Sequence, residues 1–409
     1  MNPLPKRFPE RRAPRFLLYS HDAFGLGHTR RHVAIASALA QAAPSASILL
    51  ASGVDDVYRL GLPPGAEALK LPGLRKVGNG DYQSRRLRIP TSDIRALRAA
   101  LLEAAVREFR PDVVLVDKHP LGAGGEFAHA LAEVRRYGGR AALGLRDILD
   151  EPATVLAEWT AGNLRHSIET LYDLILIYGD QSVFDPVTEY EFSPATRRRT
   201  RFCGYVLNQG GPDLTDPSPP LIDRHADPRP LVMATTGGGE DGFFLLETFL
   251  RAATGAPWRG VVVAGPMTPP HELQTLRHMA TERHVELHTF VSNIPALLEG
   301  ADALVSMGGY NTLIEGVATG LPVVCVPRTF PRREQQLRAR SFARLGLLQT
   351  LSPEQLSTES LREAVDAALH VPRRAVLDRV QATLSFGGAR HAANHLLALS
   401  AEAQAATVS

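Results

Sequence analysis

Three glycine-rich loops carry most of the residues able to do chemistry. The first reads Asp22-Ala23-Phe24-Gly25-Leu26-Gly27-His28-Thr29-Arg30. Gly25 and Gly27 let backbone approach a bound group closely, and a helix start favours anionic or polar groups. His28, at that mouth, is a candidate general base. The loop fails as a dinucleotide fingerprint, because Arg30 stands at the third glycine position. The second loop, Gly237-Gly238-Gly239-Glu240-Asp241-Gly242, does match G-x-G-x-x-G between an expected strand and helix. Dinucleotide binding also needs an acidic residue about 20 positions on. Here the next strand ends Ala264-Gly265-Pro266, with no carboxylate. A phosphate-cradling loop is what remains.

The third loop is Ser306-Met307-Gly308-Gly309-Tyr310-Asn311-Thr312-Leu313-Ile314-Glu315-Gly316. It joins a strand to a helix, so free amides at Gly309–Asn311 point at a diphosphate. Glu315 shares a helix face with Asn311 (i, i+4), where a carboxylate can accept both hydroxyls of a ribose. After the next strand, Pro331-Arg332-Arg333-Glu334-Gln335-Gln336 opens another helix. Gln335 and Gln336 offer amide donors and acceptors suited to sugar hydroxyls. Together these pieces form a nucleotide-sugar constellation.

These loops need a scaffold. Short apolar runs alternate with amphipathic stretches, the pattern of βαβ units and parallel sheets. Expected strands are Phe16–Ser20, Ile48–Ala51, Val113–Val116, Ala141–Leu145 and Leu174–Tyr178, with a helix over about 29–41. Thr91-Ser92-Asp93 supplies N-cap chemistry for a helix to Phe109, with Ile94, Leu97, Leu101 and Val106 as its apolar stripe. Turn and linker composition fills 207–230, including Asn208-Gln209-Gly210-Gly211-Pro212. A second series follows: strands Leu231–Ala234, Val261–Ala264, Glu286–Phe290, Ala303–Ser306 and Val323–Val326, and helices at about 243–253, 270–282, 310–319 and 334–345. The end, from about Pro353, reads as helical. The expected organisation is a first domain over 1–206, a linker over 207–230, a second domain over 231–374 and a helical segment over 375–409 that packs back on the first. Ligands in doubly wound folds sit at the carboxyl ends of strands, so the cleft between two such domains is the expected site.

Composition narrows the class. The chain has 409 residues, 44% hydrophobic and 22% charged, which excludes disorder as its main state. A formal charge of +2 gives no electrostatic case for nucleic acid. Cys203 and Cys325 cannot build a disulfide framework and fit a reducing, cytoplasmic compartment. No apolar run approaches the roughly 20 residues a spanning helix needs. Lys6, Arg7, Arg11, Arg12 and Arg15 form a basic arm suited to weak contact with the inner face of an anionic membrane.

The stretch from about Leu231 to Leu345 resembles the donor half of family 28 glycosyltransferases, whose best-known member adds N-acetylglucosamine to the lipid II precursor. Phe24-Gly25-Leu26-Gly27-His28 and Gly144-Leu145-Arg146-Asp147-Ile148-Leu149-Asp150 are also similar to a bacterial branch called predicted glycosyltransferases. The resemblance is most specific in residues 303–337. It implies a GT-B fold, two Rossmann-like domains facing across a cleft, acceptor domain first and donor domain second. It implies that Glu315 holds the ribose, Gln335 and Gln336 read the sugar, and Phe290 and Val291 flank the base. Gly238 and Gly239, with Gly308, Gly309 and Thr312 at the next helix start, would approach the phosphates. The family's Gly-Gly-Ser-Gln-Gly loop is here Gly-Gly-Gly-Glu-Asp-Gly, so the hydroxyl expected at the phosphate is missing.

The implied reaction is an inverting displacement of nucleoside diphosphate by an acceptor hydroxyl. The donor would be a nucleotide sugar, UDP-linked on resemblance alone, and the group moved a hexose or N-acetylhexosamine. Such a reaction needs a base and positive electrostatics for the diphosphate. No Asp-x-Asp occurs, so helix N-termini and an arginine, with Arg328 the candidate, would act without metal or other cofactor. His28 is the first candidate base, with Asp117 orienting its imidazole. Asp147 is the rival. Lys118 and Arg146 are candidates to hold an anionic part of the acceptor. Asp150 reads as the cap of the next helix. Two other readings stay open: a non-hydrolysing UDP-sugar 2-epimerase, and a nucleotide-sugar-binding protein without turnover.

Overall fold

The computed structural model describes residues 12–20, 27–55, 57–77, 81–207, 227–291 and 294–408. Gly25, most of the expected linker and Lys6, Arg7 and Arg11 of the basic arm lie outside them; Arg12 and Arg15 are described, Arg12 bonded to Asp112 at 2.6 Å and Arg15 to the Phe109 carbonyl at 3.0 Å. Two parallel sheets organise the chain. In the first domain the strands are β1 (Arg15–Ser20), β2 (Ser47–Ser52), β3 (Ala66–Lys70), a hairpin of β4 (Leu74–Val77) and β5 (Asp81–Ser84), β6 (Val113–Asp117), β7 (Arg140–Arg146), β8 (Leu174–Tyr178) and β9 (Thr200–Phe202). Seven of them form one sheet in the order β3-β2-β1-β6-β7-β8-β9. The second domain has β10 (Leu231–Thr235), β11 (Arg259–Val263), β12 (Glu286–His288), β13 (Ala303–Ser306), β14 (Val323–Cys325) and β15 (Gln349–Thr350), in the order β12-β11-β10-β13-β14-β15.

The central strands β6, β8 and β10 are buried at every residue, as strands covered by helices on both faces must be. In each sheet the strand order reverses once, between β1 and β6 and between β10 and β13. A crevice forms beyond the carboxyl ends of strands at such a switch point. The chain leaving β1 and β6 supplies Gly27, His28 and Lys118, and that leaving β10 and β13 supplies Gly237, Gly238 and Gly309.

The helix Thr91–Phe109 departs from expectation twice. Its N-cap is Pro90, with no side-chain cap bond, so Thr91 is already helical. Its buried face is Ile94, Arg98, Leu102 and Val106, whereas Leu97 is exposed. A strict i, i+4 spacing rotates the stripe by one position, because buried Arg98 is neutralised by Glu126 through bonds of 2.6 Å from both Nε and Nη2. Residues 55–95, which carry no readable motif, hold β3 and the β4–β5 hairpin.

The chain crosses back to the first domain near its end. The helix Arg373–Thr383 stays on the second domain, where the Arg373 guanidinium donates to the carbonyls of Thr319 and Glu299 at 2.8 and 2.9 Å. The expected start of the terminal segment, at about 375, therefore falls inside a second-domain helix. The crossing comes at 384–387, after which the helix Gly388–Val408 packs on Gly27–Ala42. Gln404 Nε2 donates to Asp112 at 3.1 Å.

Candidate active site

The two switch points face each other across a cleft of about 600 Å³. Its first-domain wall includes Gly27, His28, Arg30, Arg31, Lys118 and Arg146, and its second-domain wall Gly237, Gly238, Gly309, Asn311, Glu315 and Gln335. The walls touch at Gly27: a Cβ there would stand 2.6 Å from Asn311 Nδ2. The start of helix Gly27–Ala42 meets the start of helix Tyr310–Ala318 through the Asn311 side chain. Both helix N-termini thus open on the cleft, each bringing partial positive charge.

On the first wall, His28 Nδ1 bonds Asp117, and Arg31 Nη1 reaches the same carboxylate at 3.2 and 3.3 Å. The histidine side chain is 18% exposed and the carboxylate not at all. Burial opposes charge on Asp117, but the charges of His28 and Arg31 outweigh it and hold the carboxyl well below its usual range. A fixed carboxylate on Nδ1 leaves Nε2 as the nitrogen for a proton from an acceptor, the geometry of a base with its orienting group. Arg31 is clamped between the rings of Tyr178 and Tyr310, at 5.1 and 4.9 Å. Tyr310 belongs to the second domain and donates to the Tyr178 carbonyl at 2.9 Å. The histidine's support is therefore tied to the seating of one domain on the other.

Asp147 does not share this role. It is fully buried, off the cleft wall, and held by Arg338 of the second domain at 2.8 Å from Nη2 and 3.0 Å from Nε. Arg338 is equally buried and also donates to the Gly308 carbonyl at 3.0 Å. The rival base is thus corrected to half of an interdomain ion pair. Asp150 is not the N-cap of the next helix either: that is Glu151, without a side-chain bond, although Asp150 Oδ1 accepts the Glu151 backbone N–H at 2.9 Å. Asp150 also accepts from the Arg333 backbone N–H at 2.8 Å and from Arg332 Nη1 at 3.1 Å. Both aspartates of the stretch 144–150 are spent on joining the domains.

On the second wall, Asn311, Thr312 and Glu315 present one helix face to the cleft, with Phe290 and Val291 on the same wall. Glu315 is 7% exposed, and burial raises its carboxyl to about 7, with Arg30 across the cleft pulling the other way. Gln335 is on the wall and its Oε1 accepts the Arg328 backbone N–H at 3.2 Å.

Four expectations on this side are corrected. Arg328 is off the wall, its guanidinium bonded to Asp241 at 2.6 Å and Glu334 at 2.7 Å, so its charge is already balanced. Gly239 packs inward, where a Cβ would lie 2.3 Å from Thr268 Oγ1. Gly308, at φ +81°, turns the chain over Cys325 and is also off the wall, and Gln336 is half-buried away from it.

Lys118 and Arg146 do line the cleft, Lys118 in a left-handed conformation at φ +65°. Sequence reasoning gave no site role to Arg30, Arg31 and His119 on the same wall, or to Arg332 on the opposite one. His119 adjoins Lys118, Arg332 adjoins Pro331, and Arg30 and Arg31 follow His28 within one helical turn, so nearness to those positions was the available signal. Burial and neighbouring Lys118 hold the His119 imidazole well below its usual value. Among the described residues no group of three His, Cys, Asp or Glu side chains is placed to hold a metal. No helix among them is long and apolar enough to cross a membrane.

Comparison with known proteins agrees with this architecture. Residues 261–389 match the glycosyltransferase family 28 C-terminal domain, which bears out the resemblance read in the third loop. The NDP-glycosyltransferase YjiC of Bacillus subtilis (strain 168) is 30% identical over 150 residues, 36% of this chain and 35% of that protein. The chain thus shares about a third of the length of the curated relatives it matches. Among solved structures, UDP-glucose:anthocyanidin 3-O-glucosyltransferase in complex with UDP superposes with a TM-score of 0.65 at 11% identity, covering 96% of this chain and all of that one. The glycosyltransferase VinC in complex with dTDP gives 0.62 at 17% identity, over 95% of this chain and 100% of that one. The fold is GT-B, with two Rossmann-like domains.

Proposed function

We propose that this protein is a glycosyltransferase that moves a hexose or N-acetylhexosamine from a nucleotide sugar to a hydroxyl acceptor with inversion. The observation that carries the reading is one cleft with different equipment on its walls. A histidine on a buried carboxylate stands on the first, and a glycine-lined helix start with Glu315 one turn in stands on the second. His28 removes the acceptor proton through Nε2, and the hydroxyl oxygen attacks the anomeric carbon as the nucleoside diphosphate leaves. Asp117 stabilises the imidazolium that forms. Glu315 accepts the ribose hydroxyls, Gln335 reads the sugar, and Phe290 and Val291 flank the base. In this reading no metal is needed, because the amides at Gly309–Asn311 and the cleft's cations meet the leaving charge. UDP is the proposed nucleotide, and an anionic group on the acceptor is met by Lys118 and Arg146. A cytoplasmic setting, with the basic arm touching the membrane's inner face, completes the reading.

Thermal stability of the purified protein with UDP, dTDP, GDP, UDP-sugars and NAD tests it. A ligand at about 100 times its dissociation constant stabilises by ~2.7 kcal/mol. At roughly 2–4 °C per kcal/mol the shift is readable. A UDP-selective shift that Glu315→Ala abolishes is the expected result. No shift with any nucleotide, or a shift with NAD alone, would sink the proposal.

A further inference from the structure

A nucleoside diphosphate brings at least two negative charges into the cleft, and the second-domain wall is poorly furnished to receive them. Its charged side chains are Glu240, Glu315 and Arg332. Arg332 already bonds Asp150 at 3.1 Å and Glu158 at 2.7 Å. Arg328 is spent on Asp241 and Glu334, away from the wall. The helix Tyr310–Ala318 contributes a dipole, worth a fraction of a charge. Positive charge must therefore come from the opposite wall. There Arg31 is committed to Asp117 and two aromatic rings, while Lys118 and Arg146 lie at the ends of β6 and β7.

Arg30 is different. It lies in the first turn of helix Gly27–Ala42, the turn brought against Asn311 by the contact at Gly27. It lines the cleft, and its buried Nε, like that of Arg146, has no hydrogen-bond partner; what sets Arg30 apart is the turn it sits on. The nearest opposing charge acting on it is Glu315, the carboxylate one turn into the second domain's helix, with no ion pair closed between them. A buried guanidinium edge left unsatisfied is costly unless something else completes it. A planar fork is also the group best suited to bind phosphate oxygens in pairs.

We infer that Arg30, from the acceptor domain, reaches across the cleft to bind the diphosphate of the donor nucleotide. This rests on the transferase reading and deepens it. The donor site is then complete only when the two domains are seated, and the residue that breaks the dinucleotide fingerprint in the first loop is the one that receives the phosphates. Arg30 acts on bound charge in the ground state and more strongly as the diphosphate leaves, since charge builds there in the transition state.

Calorimetric binding of UDP and of uridine to the full-length protein tests this, with dTDP and thymidine, and GDP and guanosine, run in parallel so that the base is not presumed. Arg30→Gln is expected to weaken the diphosphate at least tenfold and the matching nucleoside less than twofold, and Arg30→Lys to recover part of the loss. Unchanged melting of the unliganded variants shows that the fold is intact. If Arg30→Gln loses diphosphate and nucleoside equally, or loses neither, the inference falls and the transferase reading stands. If the wild-type protein binds no nucleoside diphosphate, both fall together.

Discussion

Asp117 and Asp147 make an instructive pair. One ends β6, the other follows β7, and both side chains are fully buried and held by an arginine. Read as residues at strand mouths they are equivalent, and both are reasonable partners for catalysis. What separates them is the group between each carboxylate and the cleft. Asp117 has His28, whose ring reaches the cleft wall. Asp147 has Arg338, which holds both of its oxygens and seals it beneath the second domain, with the Tyr205 hydroxyl donating to Oδ2 at 3.4 Å. Even Gly179 serves this seal, because a Cβ there would stand 2.6 Å from Asp147 Cβ. A strand-end aspartate takes its role from what it can reach through its partner, and its own position does not decide it.

Substitutions can break that contrast. The largest effect belongs to His28→Ala, which is expected to lower turnover of a UDP-sugar by two to four powers of ten, the usual worth of general-base catalysis. UDP affinity should stay within about threefold, because in the proposed reaction the ring serves the acceptor hydroxyl; a parallel loss of UDP binding would place His28 in donor recognition instead. Asp117→Asn should follow His28→Ala in direction, since an amide fixes the wrong tautomer.

Asp147→Asn comes next, and its expected effect is on the fold. It leaves the Arg338 charge buried and unpaired, at a cost of about 3–5 kcal/mol in denaturant unfolding. Activity surviving at low temperature would fit the seal; full stability with lost turnover would restore Asp147 as a catalytic group.

The same logic marks how far the fold was legible. The strand Leu174–Tyr178 and helices Phe243–Ala253 and Pro270–Glu282 coincide with expectation, because buried parallel strands leave unbroken apolar runs and their crossover helices carry an apolar face. Arg98 and Arg338 were invisible. Each is a charged residue at a core position, made tolerable by a carboxylate 28 or 191 positions away. Glu315 and Asn311 were legible because i, i+4 neighbours share a face whatever the rest of the fold does. Arg30 was read only as a failed fingerprint, since the role inferred for it depends on a second domain whose docking no local pattern encodes.

Glu315 offers a smaller and sharper test. Burial raises its carboxyl to about 7, so the folded unliganded protein keeps it protonated at pH values where the unfolded chain does not. The folded state then binds more protons, and this group's contribution to stability falls as pH rises from its ordinary value toward 7. In the proposed donor site ribose hydroxyls donate to the charged form, so UDP affinity should rise about tenfold between pH 6 and pH 8. Glu315→Gln should flatten that rise. A slope that survives the substitution would assign it to another group.

The smallest effect separates Gln335 from Gln336, adjacent residues of one type, as Asp117 and Asp147 are one type on adjacent strands. Gln335 lines the cleft and spends its Oε1 on the Arg328 backbone N–H, which turns its NH2 into the group offered to a sugar hydroxyl. Gln336 lies off the wall, half-buried. Losing one neutral hydrogen bond is worth about 0.5–1.5 kcal/mol. Gln335→Ala should therefore weaken a UDP-sugar by about three- to tenfold and free UDP hardly at all. Gln336→Ala should move neither by more than about twofold. Equal losses from the two variants would mean that the helix Glu334–Arg344 turns a different face to the donor once it binds, and the contrast between wall and interior would then hold only for the empty cleft.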